Sequence, residues 1–351
     1  MSLFSHKIKY PIGIDIAGGS IKAVQLELNA KGGTRIKAYT HALLPKGVIV
    51  DDAVLDTKTL SYCLRTALDK PKFGQFSGSR VSASLPEAKS FVRVIHLPRM
   101  SDAEVDNAVP FEAESYVPVP MDQVYLDWQK LSEDSTGRME ILLIATPKDG
   151  ADKLLAVFDK MRLNPQALEV ESQSIQRALV KTGDSPTFLI SDTDDHKTNL
   201  VMVENAKLSF TSSIPFGGNL FTEALSRSLG IAVEKAEKIK QEVGINNTPE
   251  YPNLKIALLP ILKNLAAEIK NVLQFQTGYS QNPVKKIMLA GGGARLKNIQ
   301  ENLNSEFSDI GVTVEYANPL LNITEHNEKD LNLDAALDYC TSIGLALRTE
   351  Y

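Results

Sequence analysis

Cysteine is nearly absent: Cys63 and Cys340 stand far apart in a chain of 351 residues. No CxxC pair and no Cys/His spacing offers a zinc site or a redox dithiol. Without a disulfide framework, the sequence fits a reducing cytosol. No apolar run approaches the roughly 18 residues that mark a membrane-spanning helix. Met1 to Pro11 has no apolar core of signal-peptide type. An excess of positive charge is missing too, since 38 Lys+Arg face 43 Asp+Glu for a formal net charge of −5. No basic domain is present to neutralise phosphates, so nucleic acid is not an expected partner. His6, His41, His96, His196 and His326 are scattered without metal-ligand spacing. HExxH, Walker-A, G-x-S-x-G and protein-kinase motifs are all absent.

What is present is ordinary globular material, with 43% hydrophobic and 23% charged residues. The length predicts two domains or one large two-lobed fold. The chain opens with an apolar strand over Ile12–Ile16 and a glycine turn at Ala17-Gly18-Gly19-Ser20. A half-buried strand over Ile21–Leu28, a turn at Lys31-Gly32-Gly33 and a strand over Thr34–Leu43 follow. Leu60, Leu64 and Leu68 space a helix over Thr57–Leu68, and Arg80–Leu85 and Ser90–Ile95 read as strands.

Near Pro98 the texture changes. Ser101-Asp102-Ala103-Glu104 is a capping-box signature. Tyr116-Val117-Pro118-Val119-Pro120 cannot lie inside a helix or a central strand. Strands over Val124–Lys130 and Met139–Ala145 and a helix over Asp149–Met161 complete a small α+β insert, 98–162. A strand over Pro165–Val170 and a helix over Ser172–Lys181 close the first half.

The opening theme then repeats. Thr187–Asp192 is an apolar strand ending in an aspartate, Asp194–Lys197 a turn, Thr198–Val203 the return strand and Lys207–Ile214 the third. Asp15 and Asp192 lie 177 positions apart, about half the chain. Such a spacing points to duplication rather than to a solenoid. Helices are expected over Leu220–Leu229, Val233–Val243 and Pro260–Gln276, with Pro260 in the first turn of the last. A strand over Lys286–Leu289, the turn Gly291-Gly292-Gly293, a helix over Leu296–Phe307 and a strand over Val312–Tyr316 follow. Ile323–Asp330 reads as a loop and Ala335–Leu347 as the final helix.

Four constellations carry candidate chemistry. In the first, a strand delivers Asp15 to a turn whose backbone N–H groups can cradle phosphate, with Ser20 and Lys22 as further donors. Asp15 can hold Mg²⁺ through water. From these residues alone, a plain hairpin with an aspartate at its bend is the simpler account. The second is Asp192 to Thr198, where Asp194, Asp195 and His196 occupy the turn and two carboxylates would repel a triphosphate. An Asp-rich solvated turn is an equal reading. The third is LAGGGARL, Leu289 to Leu296, whose glycines let a ligand approach the backbone. A dinucleotide site is a rival there, with Glu315 as the ribose acid, but Leu296 breaks G-x-G-x-x-G. The fourth is Glu237 with Lys240, three apart on one helix face, either gripping ribose hydroxyls or forming a solvated pair.

These stretches together resemble the actin-like ATPase superfamily, and within it the PilM family of type IV pilus assembly proteins, relatives of the division protein FtsA. The resemblance runs over about residues 11–348. It rests on IGIDIAGGSIKAVQL, FEAESYVPVPMDQVYLDW, ALEVESQSIQRAL, FGGNLFTEAL, KIMLAGGGARLKNI, YANP and SIGLALR. It implies an α/β, actin-like (duplicated ribonuclease H-like) two-lobed fold with an inserted small α+β subdomain. The first subdomain would comprise 1–97 and 163–183, the insert 98–162, and the second lobe 184–351, with a helical part around 215–285.

The resemblance also implies ATP and Mg²⁺ as ligands. Asp15, Gly18, Gly19, Ser20 and Lys22 would form the first phosphate loop and Asp192 to Thr198 the second. Gly217 and Gly218 would lie at the cleft base, Glu237 and Lys240 near the ribose, and Gly291, Gly292 and Gly293 beside the adenosine. Asp15 and Asp192 would hold Mg²⁺ through water. Asp194 stands where the family carries glycine, so nucleotide binding is expected to outlast efficient hydrolysis. The implied partner is the cytoplasmic N-terminal peptide of a PilN-like inner-membrane protein, taken in a groove between the insert and the first subdomain. That partner would recruit a cytoplasmic protein to the inner membrane, with no direct insertion. A scaffold that has lost nucleotide, or an FtsA-like self-associating filament protein, are the alternatives. Leu345-Ala346-Leu347-Arg348-Thr349-Glu350-Tyr351 carries no amphipathic tail helix, so direct membrane binding is not expected.

Overall fold

Ile12–Ala17 (β1) runs through the middle of a six-stranded sheet because nearly every residue in it is buried. This is a computed structural model, and it describes residues 10–29, 32–181, 183, 186–277, 282–327 and 329–349. The leader reading of Met1–Pro11 falls almost wholly outside these residues, as do His6 and Lys31. The described chain divides into two units.

The first unit comprises residues 1–181, 319–332 and 339–351. β1 pairs antiparallel with Ser20–Leu28 (β2), which pairs with Thr34–Leu43 (β3). A two-strand flap, Ile49–Val50 (β4) and Ala53–Val54 (β5), leads into helix Thr57–Asp69 (α1). Asp56 caps α1 by accepting from the Lys58 and Thr59 N–H groups. Phe73–Gly74 (β6) closes one edge beside β3, and Arg80–Leu85 (β7) lies parallel to β1 on the other side.

Phe91–Leu97 (β8), expected in the first subdomain, instead pairs with a later strand of the insert and so begins that sheet before residue 98. Helix Asp102–Glu114 (α2) follows, and Glu104 accepts from the Ser101 N–H at 2.7 Å as the capping box requires. Pro110 lies inside α2, so the Asp106 carbonyl lacks its helical donor. Val124–Glu133 (β9) and Met139–Pro147 (β10) complete a three-stranded sheet in the order β8-β10-β9. Its core joins Val105, Val109 and Ala113 of α2 to Ile95, Ile141, Leu143 and Ala145.

Helix Lys148–Met161 (α3) differs from its expected place in the insert. Leu154, Val157 and Phe158 bury themselves with Ile12, Ile14, Leu60, Leu64 and Val81, so α3 belongs to the main core. Asn164–Val170 (β11) pairs parallel with β7 and ends the sheet, and helix Glu171–Leu179 (α4) follows.

The second unit comprises 182–318 and 333–338. Phe188–Thr193 (β12), Thr198–Glu204 (β13) and Lys207–Ile214 (β14) form an antiparallel meander. Helices Gly218–Leu229 (α5), Val233–Val243 (α6) and Leu254–Thr277 (α7) come next. α7 starts earlier than Pro260, which is therefore interior; the Ile256 carbonyl it leaves without a donor lies on an exposed turn that water can serve. Lys286–Ala290 (β15) runs parallel to β12. Helix Ile299–Phe307 (α8) and Thr313–Tyr316 (β16) complete the sheet β14-β13-β12-β15-β16. A short helix, Leu333–Ala336 (α9), also belongs to this unit.

The expected final helix is broken by a 3₁₀ turn at Leu337–Tyr339, and Cys340–Ala346 (α10) packs in the first unit. A Cβ on Gly13 would strike the Ser342 carbonyl, and one on Gly344 the Ser174 carbonyl, so backbone lies on backbone there. This tight seat against β1 and α4 is why the tail joins the first unit rather than extending the second to 351.

The duplication is visible in topology. In each unit a central strand pairs antiparallel into a meander on one side and, on the other, parallel with a strand that itself pairs parallel with one more. The connections differ: two residues join β1 to β2, and four join β12 to β13.

Between β13 and β14 the two turn residues, Asn205 and Ala206, have φ of 51° and 61°. Both angles fit a type I′ turn, where glycine is preferred and alanine is strained. Ala206→Gly should raise stability by about 0.5–1 kcal/mol in urea melts; a loss would mean that the alanine is not held under strain.

Candidate functional site

The first turn needs its glycines. Gly18 and Gly19 have φ of 58° and 76°, the values of a two-residue type I′ hairpin, and a Cβ on Gly19 would point into open space. Asp15 and Lys22 stand opposite each other in the ladder, and both are buried. Asp15 accepts from the Ser84 hydroxyl at 2.7 Å, and Ser20 donates to the Ala17 carbonyl at 3.2 Å. Ser20 therefore spends its proton on the turn itself.

Sequence reading missed a second carboxylate arrangement in this unit. Glu87 accepts from the Ser172 N–H and hydroxyl at the start of α4, and Glu171 accepts from the Glu87 N–H. Each caps the other's turn, and both are buried just beyond the C-terminal ends of β7 and β11. No motif flagged them, because the pairing joins residues 84 positions apart.

In the second unit, several expected site residues come together. Asp192 and Thr193 end β12, and the triple glycine packs directly on them. A Cβ on Gly291 would lie 2.5 Å from the Thr193 carbonyl oxygen and 2.9 Å from Asp192 Oδ1, and one on Gly293 would lie 2.7 Å from the Thr193 Cβ. Gly291 also has φ 78°. The fold itself thus demands glycine at 291 and 293, independently of any ligand. Arg295 holds the returning segment over the turn through Asp334 at 3.0 Å and Asp338 at 2.7 Å. Burial lowers the Arg295 pKa, but the two carboxylates outweigh it and keep the guanidinium charged.

The second turn departs from expectation in its reason rather than its place. None of Asp194 to Lys197 has positive φ, so the missing glycine costs no backbone strain. The Asp194 and Asp195 carbonyls accept from the Gly218 and Asn219 N–H groups, each at 2.9 Å. Two amides of the first turn of α5 are therefore committed to the turn. Asp194 is buried, whereas Asp195 and His196 face solvent. Thr198 bonds the Thr193 hydroxyl and the Phe216 carbonyl. Gly217 lies so close to Asp195 and His196 that no side chain fits.

Glu237 and Lys240 meet this same corner. Their charges are 2.7 Å apart, Lys240 donates to the Gly218 carbonyl at 3.2 Å, and Thr222 donates to Glu237. Burial pushes the Glu237 carboxyl up, but the bonds from Lys240 and Thr222 and the Lys240 charge bring it below the usual carboxylate range. By contrast, Glu315 pairs with Lys286 at 2.8 Å on the open strand surface. The triple glycine leads into a 3₁₀ turn, Gly292–Arg295, and α8 starts only at Ile299. A dinucleotide site, which needs a helix N-terminus at its glycines, has none here. Among the described residues no three His, Cys, Asp or Glu side chains gather as a metal site.

A groove of about 1020 Å³ opens in the first unit. Tyr125, Trp128 and Gln129 of β9 form one wall and Gln166 to Val170 of β11 another, with Leu155 of α3 and Leu347 also lining it. Its floor holds Glu169, 2% exposed, gripped by Arg177 at 2.5 and 2.8 Å and by Arg348 at 2.5 Å. Trp128, expected in core or interface, lines the groove while its Nε1–H donates to Asp106 at 2.8 Å. Two of the stretches that carried the resemblance, FEAESYVPVPMDQVYLDW and SIGLALR, supply Tyr125, Trp128 and Arg348.

Paired meander-plus-parallel sheets with a hairpin turn and a glycine turn define an actin-like fold. Solved structures share it. A PilM–PilN type IV pilus biogenesis complex superposes with a TM-score of 0.83 at 24% identity, covering 97% of this chain and 99% of that one. The ethanolamine utilization protein EutJ from Carboxydothermus hydrogenoformans gives 0.58 at 16% identity over 96% and 89%. MreB5 of Spiroplasma citri bound to AMPPNP gives 0.54 at 12% over 96% and 94%. The family model for type IV pilus assembly protein PilM matches residues 13–350, and the chain belongs to that family.

Two outcomes test the second-unit site. Gly291→Ala should cost about 2–4 kcal/mol, since it adds a left-handed alanine to a clash with backbone; an unchanged urea midpoint would remove this reading. Because the Glu237 pKa is depressed on folding, its contribution is present above the unfolded carboxylate pKa and fades as pH falls through the folded one. Glu237→Gln should therefore lose about 0.5 kcal/mol at pH 7, as for a partly open ion pair, and less at pH 3. Equal losses at both pH values would contradict this.

Proposed function

We propose that this chain is a cytoplasmic, nucleotide-binding scaffold of type IV pilus assembly that docks the N-terminal peptide of a PilN-like inner-membrane protein. The groove carries this reading. β9 and β11 are each the last strand of their sheet among the described residues, so each leaves a row of backbone groups without a ladder partner. An extended segment can pair with such an edge, while alternate side chains enter pockets. Leu155, Leu168, Ile144 and Leu347 offer apolar seats, and the charged floor gives polar anchorage. The similar solved complex contains PilN, which agrees with this partner. No helix among the described residues is long and apolar enough to cross a membrane, so recruitment by a partner accounts for a role there.

ATP is the proposed nucleotide. The second unit's corner, Asp192, Thr198, Gly217, Gly218, Glu237, Lys240 and Gly291–Gly293, is its proposed seat; the first unit's turn, Asp15, Gly18, Gly19, Ser20 and Lys22, is proposed separately as a phosphate cradle. Mg²⁺ is commonly held by one or two carboxylates plus water and substrate phosphates, so Asp192 in the second unit's corner and Asp15 in the first unit's turn are each proposed as a carboxylate for it, without a dedicated cage. When bound, ATP supplies a preference for one conformation over another, which is the only way it can switch docking. The alternative is a scaffold without nucleotide. It is favoured by the buried Asp194 and by the Gly218 and Asn219 amides already engaged.

Calorimetry with Mg-ATP, with and without a synthetic peptide of the PilN homologue's N-terminus, separates these. Binding of both is expected, Asp194→Gly tightening ATP about tenfold by removing one charge. Leu155→Asp and Tyr125→Ala should each weaken the peptide at least tenfold and leave ATP unchanged. Peptide binding without ATP would establish the second reading. Failure of the peptide to bind would overturn the docking role.

A further inference from the structure

The chain crosses between the main core and the insert twice, and the two crossings lie side by side. Pro86 to Ser90 leads from β7 into β8, and Thr146 to Lys148 leads from β10 into α3. Phe91 pairs with Ala145 in the ladder, and the Ser90 and Thr146 hydroxyls bond at 3.0 Å. Pro86 and Pro147, with φ of −61° and −56°, each fix one dihedral at a crossing. Two adjacent crossings still make only a neck. A neck holds the insert in place but leaves its tilt to other contacts, because a few residues can absorb a hinge rotation.

The tilt matters because the insert supplies one wall of the groove. Tyr125, Trp128 and Gln129 of β9 face Gln166 to Val170 of β11 across it. Three sets of contacts tie the walls together. Tyr125 donates to Asp152 at 2.8 Å and Gln173 to Gln129 at 3.3 Å, but both bonds are exposed and water competes for them. The third set is buried. The Ser172 N–H and hydroxyl donate to Glu87 at 3.1 and 3.0 Å, and the Glu87 N–H donates to Glu171 at 3.3 Å. Glu87, Glu171 and Ser172 are all at most 4% exposed. Breaking such bonds leaves buried donors unsatisfied, which water cannot repair. Glu87 sits on the first crossing, while Glu171 and Ser172 open α4 in the main core. Glu169, the groove floor, lies two residues before Glu171, so floor and latch share one stretch of backbone.

We propose that Glu87 is a positioning residue for peptide docking: gripped by Ser172 and gripping Glu171 in return, it locks the tilt of the insert and so sets the width of the groove. This rests on the docking reading above. Neither Glu87 nor Glu171 nor Ser172 lines the groove, so each acts on the peptide only through the spacing of the walls.

Two measurements test it. In calorimetry with the N-terminal peptide of the PilN homologue, Glu87→Ala should weaken binding by about fivefold or more, since the walls are no longer pre-organised. Glu87→Gln should stay within about twofold, because its amide oxygen can take the Ser172 N–H and its amide nitrogen can donate to the Ser172 hydroxyl. Both are measured where circular dichroism shows the variants folded; a merely stabilising role would lower the Tm and leave the affinity of the folded protein unchanged. The second measurement needs no peptide. Nitroxides on Asn107→Cys of α2 and Ala156→Cys of α3, both exposed sites, report the insert's placement by double electron–electron resonance. The background is Cys63→Ser, with Cys340 buried from the label. The parent and Glu87→Gln should each give one narrow distance, and Glu87→Ala a broadened or shifted one. Equal peptide affinity for wild type and Glu87→Ala overturns the inference, as does a Glu87→Ala distance distribution that matches the parent's. Should wild type itself not bind the peptide, the docking reading falls, and the distance measurement alone decides the latch.

Discussion

A single buried carboxylate, that of Glu169, ties together stretches that are remote in sequence. Its two oxygens accept from Nη1 and Nη2 of Arg177 and from Nη1 of Arg348. Arg177 also reaches the Gly344 carbonyl at 2.9 Å. The end of β11, helix α4 and the residues after α10 are therefore fixed to one another at the floor of the groove. A buried charge that loses its partners costs about 3–5 kcal/mol, so this arrangement is strongly enforced. The tight seat of α10 on Gly13 and of Ser174 on Gly344 follows from the same closure.

The same economy governs the second unit. There the glycines crowd against Thr193 and against the Asp194–His196 turn, and Arg295 clamps the returning segment. A glycine-rich stretch invites a ligand reading, yet the space beside Gly217, Gly291 and Gly293 is filled by the chain's own backbone and the Thr193 side chain. Local packing and ligand binding make the same demand on residue type, namely no side chain. Only the neighbours' positions tell the two apart, and they show that the fold comes first. The Glu237–Lys240 pair is similar: one ion pair serves α6, α5 and the edge of the turn at once.

Much of the architecture was legible in the sequence because period and turn chemistry are local. Strand alternation, the Gly18–Gly19 hairpin and the Ser101 capping box each act within a few residues. The repeated strand–aspartate–turn pattern gave the duplication, and the sheets realise it with equivalent order. Boundaries failed where packing overrode a local rule. Pro260 reads as a helix start, but Leu254 and Leu258 bury into the core and carry the helix through it. Ala335–Leu347 reads as one helix, but its two ends belong to different units and a 3₁₀ turn divides them.

By itself the sequence determined the strands and most helices, and which aspartates and glycines lie at turns. Each of these depends on contacts between near neighbours in the chain. Only the tertiary structure decided that α3 joins the main core, that Glu87 and Glu171 cap each other, that Glu169 is shared by two arginines, and that β9 and β11 border one groove. Those facts rest on pairings across tens to hundreds of residues. Loop closure brings such partners together, and no periodicity along the chain records which ones will meet.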